Sequence, residues 1–440
     1  DLHSFPTRRS SDLHIANLAS TSLPGVPGTP YPGPFVLSGF VQDIDLTQEY
    51  ASQELRLTGE AGRLEWVGGL YYFDESHKQL RFFNLGPGVV LPTSPILVPT
   101  AILEDHRTER DGWAAFGQAS WKPFERLELT LGSRYSDESV AVRSERLLNI
   151  QQVHRSNPFY LLTEAGNSFD SLSTMASVGF DVTSNFLGYL TYSEGWKAGG
   201  FNRFPPSIAG IVLDPYDSEN SANWEAGMKW TLPNGRGSAN MALFYIKLSE
   251  QQLPTITRNA QGITALNIAN VGRSHSQGAE LELDATMGGG FGLSLTAGYV
   301  DTEFDDFLEI TPTQTVINHK GESFSFVPKL SGMATVSFRN GFGNRGGAFE
   351  AAVTYQYVGD YKTELSEISV LDIPSHDRLD VRASVEFSGW TVTGYLRNAL
   401  DRYDYTNKFL RASSQAVAAN HLVQLLPPRQ IGLVVSKEFR

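Results

Sequence analysis

The sequence predicts an all-β fold, an antiparallel transmembrane β-barrel with about sixteen strands. Three observations predict it. Apolar and polar residues alternate along most of the chain, many of the alternating segments are long, and tight turns alternate with long connections.

The hydrophobic pattern has a period of two residues. In segment 378–387, for example, Leu379, Val381, Ala383, Val385 and Phe387 alternate with Arg378, Asp380, Arg382, Ser384 and Glu386. Successive side chains of a strand point to opposite faces, so such a segment is a strand with one apolar and one polar face. The predicted strands lie near 36–46, 52–60, 64–76, 110–121, 125–140, 172–183, 185–197, 221–232, 237–249, 276–287, 290–303, 329–340, 346–360, 377–387, 390–401 and 430–439.

The length of the strands favours a membrane barrel. A strand in a globular protein has about five or six residues, whereas a strand that crosses a membrane needs about 9–11. Trp113 and Trp121 share one face and would lie roughly 26 Å apart along their strand, near the height of an apolar band of about 25 Å. They either mark the two edges of such a band or are two unrelated core tryptophans.

The connections between strands alternate in length. Tight turns are predicted at 61–63, 122–124, 184, 232–236, 288–289 and 388–389, and long connections at 77–109, 141–171, 198–220, 250–275, 304–328, 361–376 and 402–429. Membrane barrels have short turns on the periplasmic side and long loops outside, whereas a soluble sandwich has no such requirement. No stretch reaches the roughly 18 uncharged apolar residues of a membrane helix.

Composition excludes several functions. The 440 residues contain no Cys, which excludes disulfides, thiolate metal centres and a cysteine nucleophile. The net charge of −13 argues against a nucleic-acid partner, which needs a basic surface. Neither a catalytic constellation nor a cofactor or metal motif is present, so we expect no enzyme activity, no catalytic residues, no cofactor and no metal site.

The N-terminal segment differs from the rest of the chain. Its first thirteen residues, DLHSFPTRRSSDL, resemble translated sequencing-adaptor sequence and match nothing downstream in composition. We therefore expect residues 1–34 to be a non-native or disordered segment plus a loop, and residues 35–440 to form the barrel domain.

Several stretches, in this order, resemble the barrel of TonB-dependent outer-membrane receptors. They include YSEGWKAGGFN at 192–202, NWEAGMK at 223–229, NVG at 270–272, QGAELE at 277–282, RNALD at 397–401 and PRQIGL at 428–433. SQELRL at 52–57, WVGGLYYF at 66–73, LGSRY at 131–135, LFY at 243–245 and Tyr403 add to the match.

The resemblance implies a 22-stranded barrel in the outer membrane of a Gram-negative bacterium, filled by an N-terminal plug domain. It implies uptake of a scarce nutrient, an iron–siderophore complex, driven by the TonB energy-transducing complex through the plug and a coupling box. We expect this chain to be the C-terminal part of such a barrel, without the plug, the coupling box and roughly six strands.

Ligand contacts are expected on the long loops, because loops on a rigid scaffold commonly carry binding residues. Interfacial anchoring or loop packing would explain the aromatic residues there equally well. The candidate ligand contacts are Phe82, Phe83, His154, Phe159, Tyr160, Phe204, Tyr216, Phe324 and Phe326.

Two other functions remain open at this point. A passive porin with sixteen strands fits the strand count without any missing part. A soluble all-β binding or adhesion module would instead have polar outward faces and protected sheet edges.

Overall fold

The structure, a computed structural model, describes residues 7–17, 21–23, 35–37, 40–84, 101–148, 160–202, 213, 215–258, 264–310, 315–343, 346–363, 371–410 and 421–438. Nearly all of these residues lie in β-strands, and the one helical element described in full is the 3-10 turn Pro233–Gly235. Within the described ranges, no helix has the length and apolar character needed to cross a membrane. The all-β prediction is confirmed.

Twenty-four strands make up the described chain. They are β1 (Thr7–Asn17), β2 (Thr21–Leu23), β3 (Phe35–Leu37), β4 (Phe40–Ala61), β5 (Leu64–Asn84), β6 (Ala101–Phe124), β7 (Leu127–Leu148), β8 (Tyr160–Thr183), β9 (Phe186–Lys197), β10 (Gly200–Phe201), β11 (Pro215–Tyr216), β12 (Glu219–Thr231), β13 (Gly237–Arg258), β14 (Thr264–Gly288), β15 (Phe291–Asp306), β16 (Leu308–Ile310), β17 (Val316–Asn318), β18 (Leu330–Phe342), β19 (Gly347–Val358), β20 (His376–Phe387), β21 (Trp390–Arg397), β22 (Tyr405–Leu410), β23 (His421–Leu425) and β24 (Gln430–Lys437).

Sixteen of these strands form one antiparallel sheet. Its order is β1-β4-β5-β6-β7-β8-β9-β12-β13-β14-β15-β18-β19-β20-β21-β24, so each long strand pairs with the next one along the chain. The other strands form the two-stranded hairpins β2–β3, β10–β11, β16–β17 and β22–β23, each within a long connection. An antiparallel meander of this kind is the topology of an outer-membrane barrel.

Tight turns join the long strands at one end of the sheet and long connections join them at the other, as predicted. Gly62 and Asn234 have positive φ angles of 65° and 61°, the conformation that tight hairpins need. The β6–β7 turn falls at 125–126 rather than the predicted 122–124, because β6 continues to Phe124 and Lys122 still donates to the Arg63 carbonyl.

The prediction of separate strands at 36–46 and 52–60 was wrong. Residues 40–46 and 52–60 belong to the single strand β4, which pairs with β5 from Val41↔Asn84 to Ala61↔Leu64 without interruption, while residues 36–37 lie in β3. The hydrophobic alternation fades at Thr47–Ala51, although the backbone pairing continues there. A strand that leaves the lipid needs no apolar face, so its hydrophobic period can stop before its hydrogen bonds do.

Part of segment 1–34 also has strand structure, where we expected none. β1 pairs with β4 from Thr7↔Tyr50 to Asn17↔Phe40, and β2 pairs with β3. The predicted and observed strand counts therefore agree only because β1 was missed and β4 was counted twice. That residues 1–13 are non-native stays a prediction, as does the domain boundary at residue 35.

The two faces of the sheet differ in polarity. Leu55 and Leu70 lie directly opposite each other and are 54% and 56% exposed. Glu54 and Arg56, the neighbours of Leu55, point to the other face, where they form an ion pair. We call the face of Leu55 and Leu70 the outer face and the face of Arg56 the inner face; lipid outside and a polar interior explain this pattern.

Aromatic side chains form two bands on the outer face. The upper band, towards the long connections, consists of Tyr72, Trp113, Tyr135, Tyr192, Trp224, Tyr245, Tyr299 and Tyr355; the lower band, towards the tight turns, consists of Trp66, Trp121, Phe180, Trp230, Phe291, Phe387 and Trp390. Trp113 and Trp121 are 47% and 50% exposed, one in each band. Membrane barrels carry such girdles at both interfaces. The first alternative for these tryptophans is therefore confirmed.

Several strands continue far beyond the upper band. β6 begins at Ala101, twelve residues before Trp113, which corresponds to roughly 40 Å along the strand. β4, β5, β7, β8, β13 and β14 have 21 to 25 residues and extend in the same way. These extensions form a wall outside the apolar band, and its inner face holds the candidate site.

Candidate functional site

A charged cluster lies high on the inner face of the wall. Glu104 of β6 is placed between Arg81 of β5 and Arg146 of β7 by the cross-strand pairs Arg81↔Glu104 and Glu104↔Arg146. Its carboxylate forms an ion pair with Arg146 and lies 3.8 Å from Nη1 of Arg81. The three side chains are only 11% to 22% exposed. Among these three side chains, one carboxylate faces two guanidinium groups.

Burial affects the titration of Arg81 without removing its charge. Burial lowers the pKa of Arg81, and Arg146 lowers it further, whereas Glu104 raises it. An arginine still keeps its proton at neutral pH after a shift of this kind, because its ordinary pKa is far above 7. The cluster therefore offers fixed positive charge and guanidinium donors, which suit carboxylate or other anionic oxygen ligands.

A second charged group lies lower on the inner face, just above the upper band. Nη1 of Arg110 is 3.8 Å from Oε2 of Glu138, and Nη2 of Arg110 donates to the Gly199 carbonyl at 3.3 Å. Burial raises the pKa of Glu138; Arg110 and Arg134 oppose the rise, and Glu75 adds to it. Arg110 thus connects the wall to the base of the loop between β9 and β12.

The base of that loop is fixed by three amide side chains. The Gln252 amide nitrogen donates to the carbonyls of Ala198 and Asp217, at 2.9 and 3.0 Å. The amide of Asn270 exchanges two hydrogen bonds with the Asp217 backbone, at 2.7 and 2.9 Å. Asn202 exchanges two more with the backbone of Ile268, at 2.6 and 3.0 Å. Because these backbone groups are paired, the loop can rest on β13 and β14 without unsatisfied polar atoms.

Two glycines make this close packing possible. A Cβ on Gly199 would lie 2.2 Å from the Tyr216 carbonyl oxygen, and one on Gly272 would lie 2.0 Å from the Asp306 carbonyl oxygen. Gly199, Asn202, Asn270 and Gly272 all belong to stretches that carried the family resemblance. In the structure Gly199, Asn202 and Asn270 position the loop base, whereas Gly272 lets the Asp306 backbone of β15 approach β14 closely.

The connection between β15 and β18 folds into a second fixed element. Phe324 packs on Phe304, with ring centroids 4.8 Å apart, and Phe304 packs on Phe307. The buried His319 lies between two carboxylates: its Nε2 is 2.8 Å from Glu309 and its Nδ1 is 3.3 Å from Glu322. This element is held by its own aromatic and charged contacts.

The structure places the predicted ligand contacts in different environments. Phe324 lies in the aromatic cluster, Phe326 is 54% exposed with its ring 6.5 Å from that of Tyr361, and Tyr216 is half-buried beside Gly200. Phe82 alternates with Arg81 and so lies on the outer face of β5. His154, Phe159 and Phe204 lie outside the described residues, as do the side chains of Phe83 and Tyr160. Their role in binding stays a prediction.

Sequence reasoning missed the inner-face cluster because it took 77–109 and 141–171 for loops. The structure continues β5 to Asn84 and begins β6 at Ala101, so Arg81 and Glu104 lie in strands. A usable signal was present. Arg81 is an even number of positions away from Tyr71 and Phe73, so in an unbroken strand all three side chains point to the same face.

Comparison with known proteins decides the family. The family model described as TonB dependent receptor-like, beta-barrel matches residues 8–399. This chain belongs to that family. TonB-dependent receptor barrels are outer-membrane proteins of Gram-negative bacteria, which agrees with the apolar outer face and its two aromatic bands. The family consists of receptors rather than enzymes, and its match decides against the porin and soluble-module alternatives.

Two relatives of this receptor barrel are themselves named as receptors. The pesticin receptor of Yersinia pestis is 24% identical over 381 residues, covering 84% of this chain and 49% of that protein. The ferrioxamine B receptor of Salmonella typhimurium is 24% identical over 247 residues, covering 54% of this chain and 30% of that protein. The chain therefore spans about half the length of the pesticin receptor.

Solved structures show the same fold. The ferric yersiniabactin uptake receptor FyuA of Yersinia pestis matches with a TM-score of 0.71 at 19% identity, covering 93% of this chain and 57% of that one. The siderophore receptor PiuA of Acinetobacter baumannii matches with a TM-score of 0.64 at 14% identity, covering 91% and 57%. The structural similarity to both receptors extends over nearly the whole of this chain.

Proposed function

We propose that this barrel is the outer-membrane part of a receptor that takes up an iron–siderophore complex by TonB-dependent transport. The observation that carries the proposal is the cluster of Arg81, Glu104 and Arg146 on the inner face of the wall. It places two guanidinium groups where a ligand entering between the long connections would meet the barrel interior. A ferric chelate offers oxygen atoms that guanidinium groups can bind.

The long connections supply the remainder of the proposed binding surface. The candidate contacts Phe83, His154, Phe159, Tyr160, Phe204, Tyr216, Phe324 and Phe326 stay part of this proposal, whereas Phe82 lies on the outer face of β5, away from the barrel interior. The named cargo of the relatives supports it, since ferrioxamine B and ferric yersiniabactin are iron chelates. In the full-length receptor, an N-terminal plug with its coupling box would close the barrel and bind the TonB complex. The plug would move when that complex supplies energy.

The first experiment tests uptake. A strain that lacks the full-length gene is complemented with the gene and grown under iron limitation, and uptake of ⁵⁵Fe is measured with a panel of purified ferric siderophores. We expect one class of chelate to restore growth and uptake, and loss of TonB to abolish uptake while leaving binding to cells unchanged. Uptake that continues without TonB would contradict energy-coupled transport.

The second experiment tests the charged cluster with a matched control. The variant Arg81→Gln/Arg146→Gln removes two inner-face guanidiniums, and Arg107→Gln/Arg143→Gln removes two from the outer face of the same strands. We expect the inner-face variant to bind the chelate about tenfold more weakly, because charge-assisted hydrogen bonds are lost. The control should stay within about twofold of the wild type. Equal affinity of the two variants would contradict the proposed site.

A further inference from the structure

A cavity of about 720 Å³ opens on the outer face at the upper band, over β9, β12, β13 and β14. Tyr245, Lys247 and Arg273 line it, together with Lys320 from the connection after β17. Tyr245 and Lys247 lie two and four positions after the exposed Leu243, so all three side chains point to the outer face. Ser249 lies on the same face and is paired with Arg273, which places Arg273 there too. The cavity therefore faces the surroundings of the barrel rather than its interior.

Three cations in this cavity have no acidic partner within the described part of the chain. Among the described residues, Lys247, Arg273 and Lys320 form no ion pair, whereas Lys329 nearby is bound to Asp301 at 2.6 Å. The Lys247 ammonium instead lies 5.6 Å from the ring centroid of Trp224 and 5.9 Å from that of Tyr245. Positively charged side chains that line one cavity without carboxylate partners repel one another, so an anion in the cavity would relieve that repulsion.

The two carboxylates that line the cavity are already occupied. Glu194 accepts hydrogen bonds from the Thr174 backbone and hydroxyl, at 2.9 and 2.6 Å, and from the Tyr192 hydroxyl at 2.8 Å. Asp305 is 3.0 Å from Nδ1 of His275. Both oxygens of Glu194 and Oδ1 of Asp305 are thus directed at other groups, and three cations against two carboxylates leave the lining with net positive charge.

The height of the cavity indicates what kind of anion it meets. Tyr192, Trp224 and Tyr245 are neighbours in the upper band, with ring centroids 5.3 and 6.0 Å apart. Such aromatic belts lie at the level of lipid head groups. Lys247 is two residues further along β13, roughly 7 Å above Tyr245. The cations therefore lie where the phosphates of the outer leaflet are found.

We propose that this cavity binds the phosphate-bearing head group of an anionic lipid of the surrounding leaflet. Arg273 can hold two phosphate oxygens with its planar guanidinium, and the two lysines act as point charges. Tyr245 and Trp224 pack beside the acyl chains just below. The site requires only the outer-membrane location of the barrel and not its cargo.

The test measures lipid binding to the full-length receptor in detergent by native mass spectrometry. The probes are diphosphoryl lipid A, the same lipid after removal of both phosphates, and inorganic phosphate. We expect tight binding of diphosphoryl lipid A, loss of binding without the phosphates, and no displacement by inorganic phosphate at about 10 mM. Each cation near the surface contributes about fivefold to affinity, so Lys247→Gln/Arg273→Gln/Lys320→Gln should weaken binding about a hundredfold.

The control variant Arg63→Gln/Arg126→Gln/Arg236→Gln removes the same charge at the tight turns and should bind as the wild type does. Heat-modifiable mobility on gels establishes that each variant is folded; if the triple variant does not fold, Arg273→Gln alone should bind about fivefold more weakly. Binding by the triple variant within twofold of the wild type would overturn the proposal. Equal binding of the dephosphorylated lipid, or displacement by micromolar phosphate, would do the same.

Discussion

Trp113 and Trp121 lie on the same outer face of β6, one in the upper aromatic band and one in the lower. Between them the outward-facing positions of β6 are Ala115, Gly117 and Ala119, while the side chains of Phe116 and Gln118 point inward. This alternation defines the part of the strand that crosses the membrane.

A charge on the outer face should destabilise the barrel more than the same charge on the inner face. Leu57 is 63% exposed and lies opposite Gly68, about midway between the two bands. Leu57→Arg should lower the free energy of unfolding in lipid vesicles by about 2–4 kcal/mol, because the charge enters the hydrocarbon region. Thr58→Arg, on the inner face one residue away, is the control and should cost less than about 1 kcal/mol. Denaturant titration of the full-length receptor measures both; equal losses would count against the assigned faces.

The loop base should tolerate no side chain at Gly199. Gly199→Ala places a Cβ 2.2 Å from the Tyr216 carbonyl oxygen, so the backbone must move. We expect a loss of about 1–3 kcal/mol in the free energy of unfolding, as for other overpacked sites. Gly188→Ala in the adjoining strand is the matched control, since a Cβ there meets nothing within 4 Å. If both variants unfold at the same denaturant concentration, the contact between Gly199 and Tyr216 is not formed in the receptor.

The stability of the barrel should depend on pH through Glu138. Burial raises the pKa of this carboxyl above its ordinary value of 4.5, so the folded state holds a proton that the unfolded state has already released. The free energy of unfolding should therefore fall as the pH rises from about 4.5 through the raised pKa, and should level off above it. Glu138→Gln removes this dependence and should gain stability relative to the wild type across that range.

Melting temperatures at several pH values, recorded for the wild type and for Glu138→Gln, check this prediction. Glu128→Gln, at an exposed position next to the β6–β7 turn, is the control and should keep the wild-type pH profile. A wild type whose stability relative to Glu138→Gln rises with pH in this range would show that the carboxylate is better satisfied than its burial suggests.

The sequence predicted the parts of the fold that lipid controls. In segments such as 378–387, an apolar environment outside and a polar one inside impose the period of two, so the strands were recognised there. Above the upper band both faces of a strand can be polar. The period then weakens, as at Thr47–Ala51 of β4, so the sequence pattern predicts strands that are shorter than the observed ones.

The same physics explains what was missed in the site. Arg81 and Glu104 are charged residues on strand extensions, and in a sequence they look like residues of a solvated loop. Gly199 and Asn270 belong to stretches that resemble the family. Gly199 matters because it contacts the Tyr216 backbone, and Asn270 matters because it binds the Asp217 backbone; both partners lie elsewhere in the sequence. Contacts between residues that are far apart in the sequence leave no local pattern from which they could be predicted.

The central claim, lipid on the outer face and a polar interior, is tested most directly by nitroxide labels on β6. In a cysteine-free background of the full-length receptor, labels are introduced at Ala115→Cys, Gln118→Cys, Ala119→Cys and Ser120→Cys in lipid vesicles. Collision rates with oxygen and with a water-soluble nickel chelate are then measured by electron paramagnetic resonance. The labels at 115 and 119 should collide often with oxygen and rarely with nickel, and those at 118 and 120 should not share this preference for oxygen. Uniform or inverted accessibility along the strand would contradict the barrel described here.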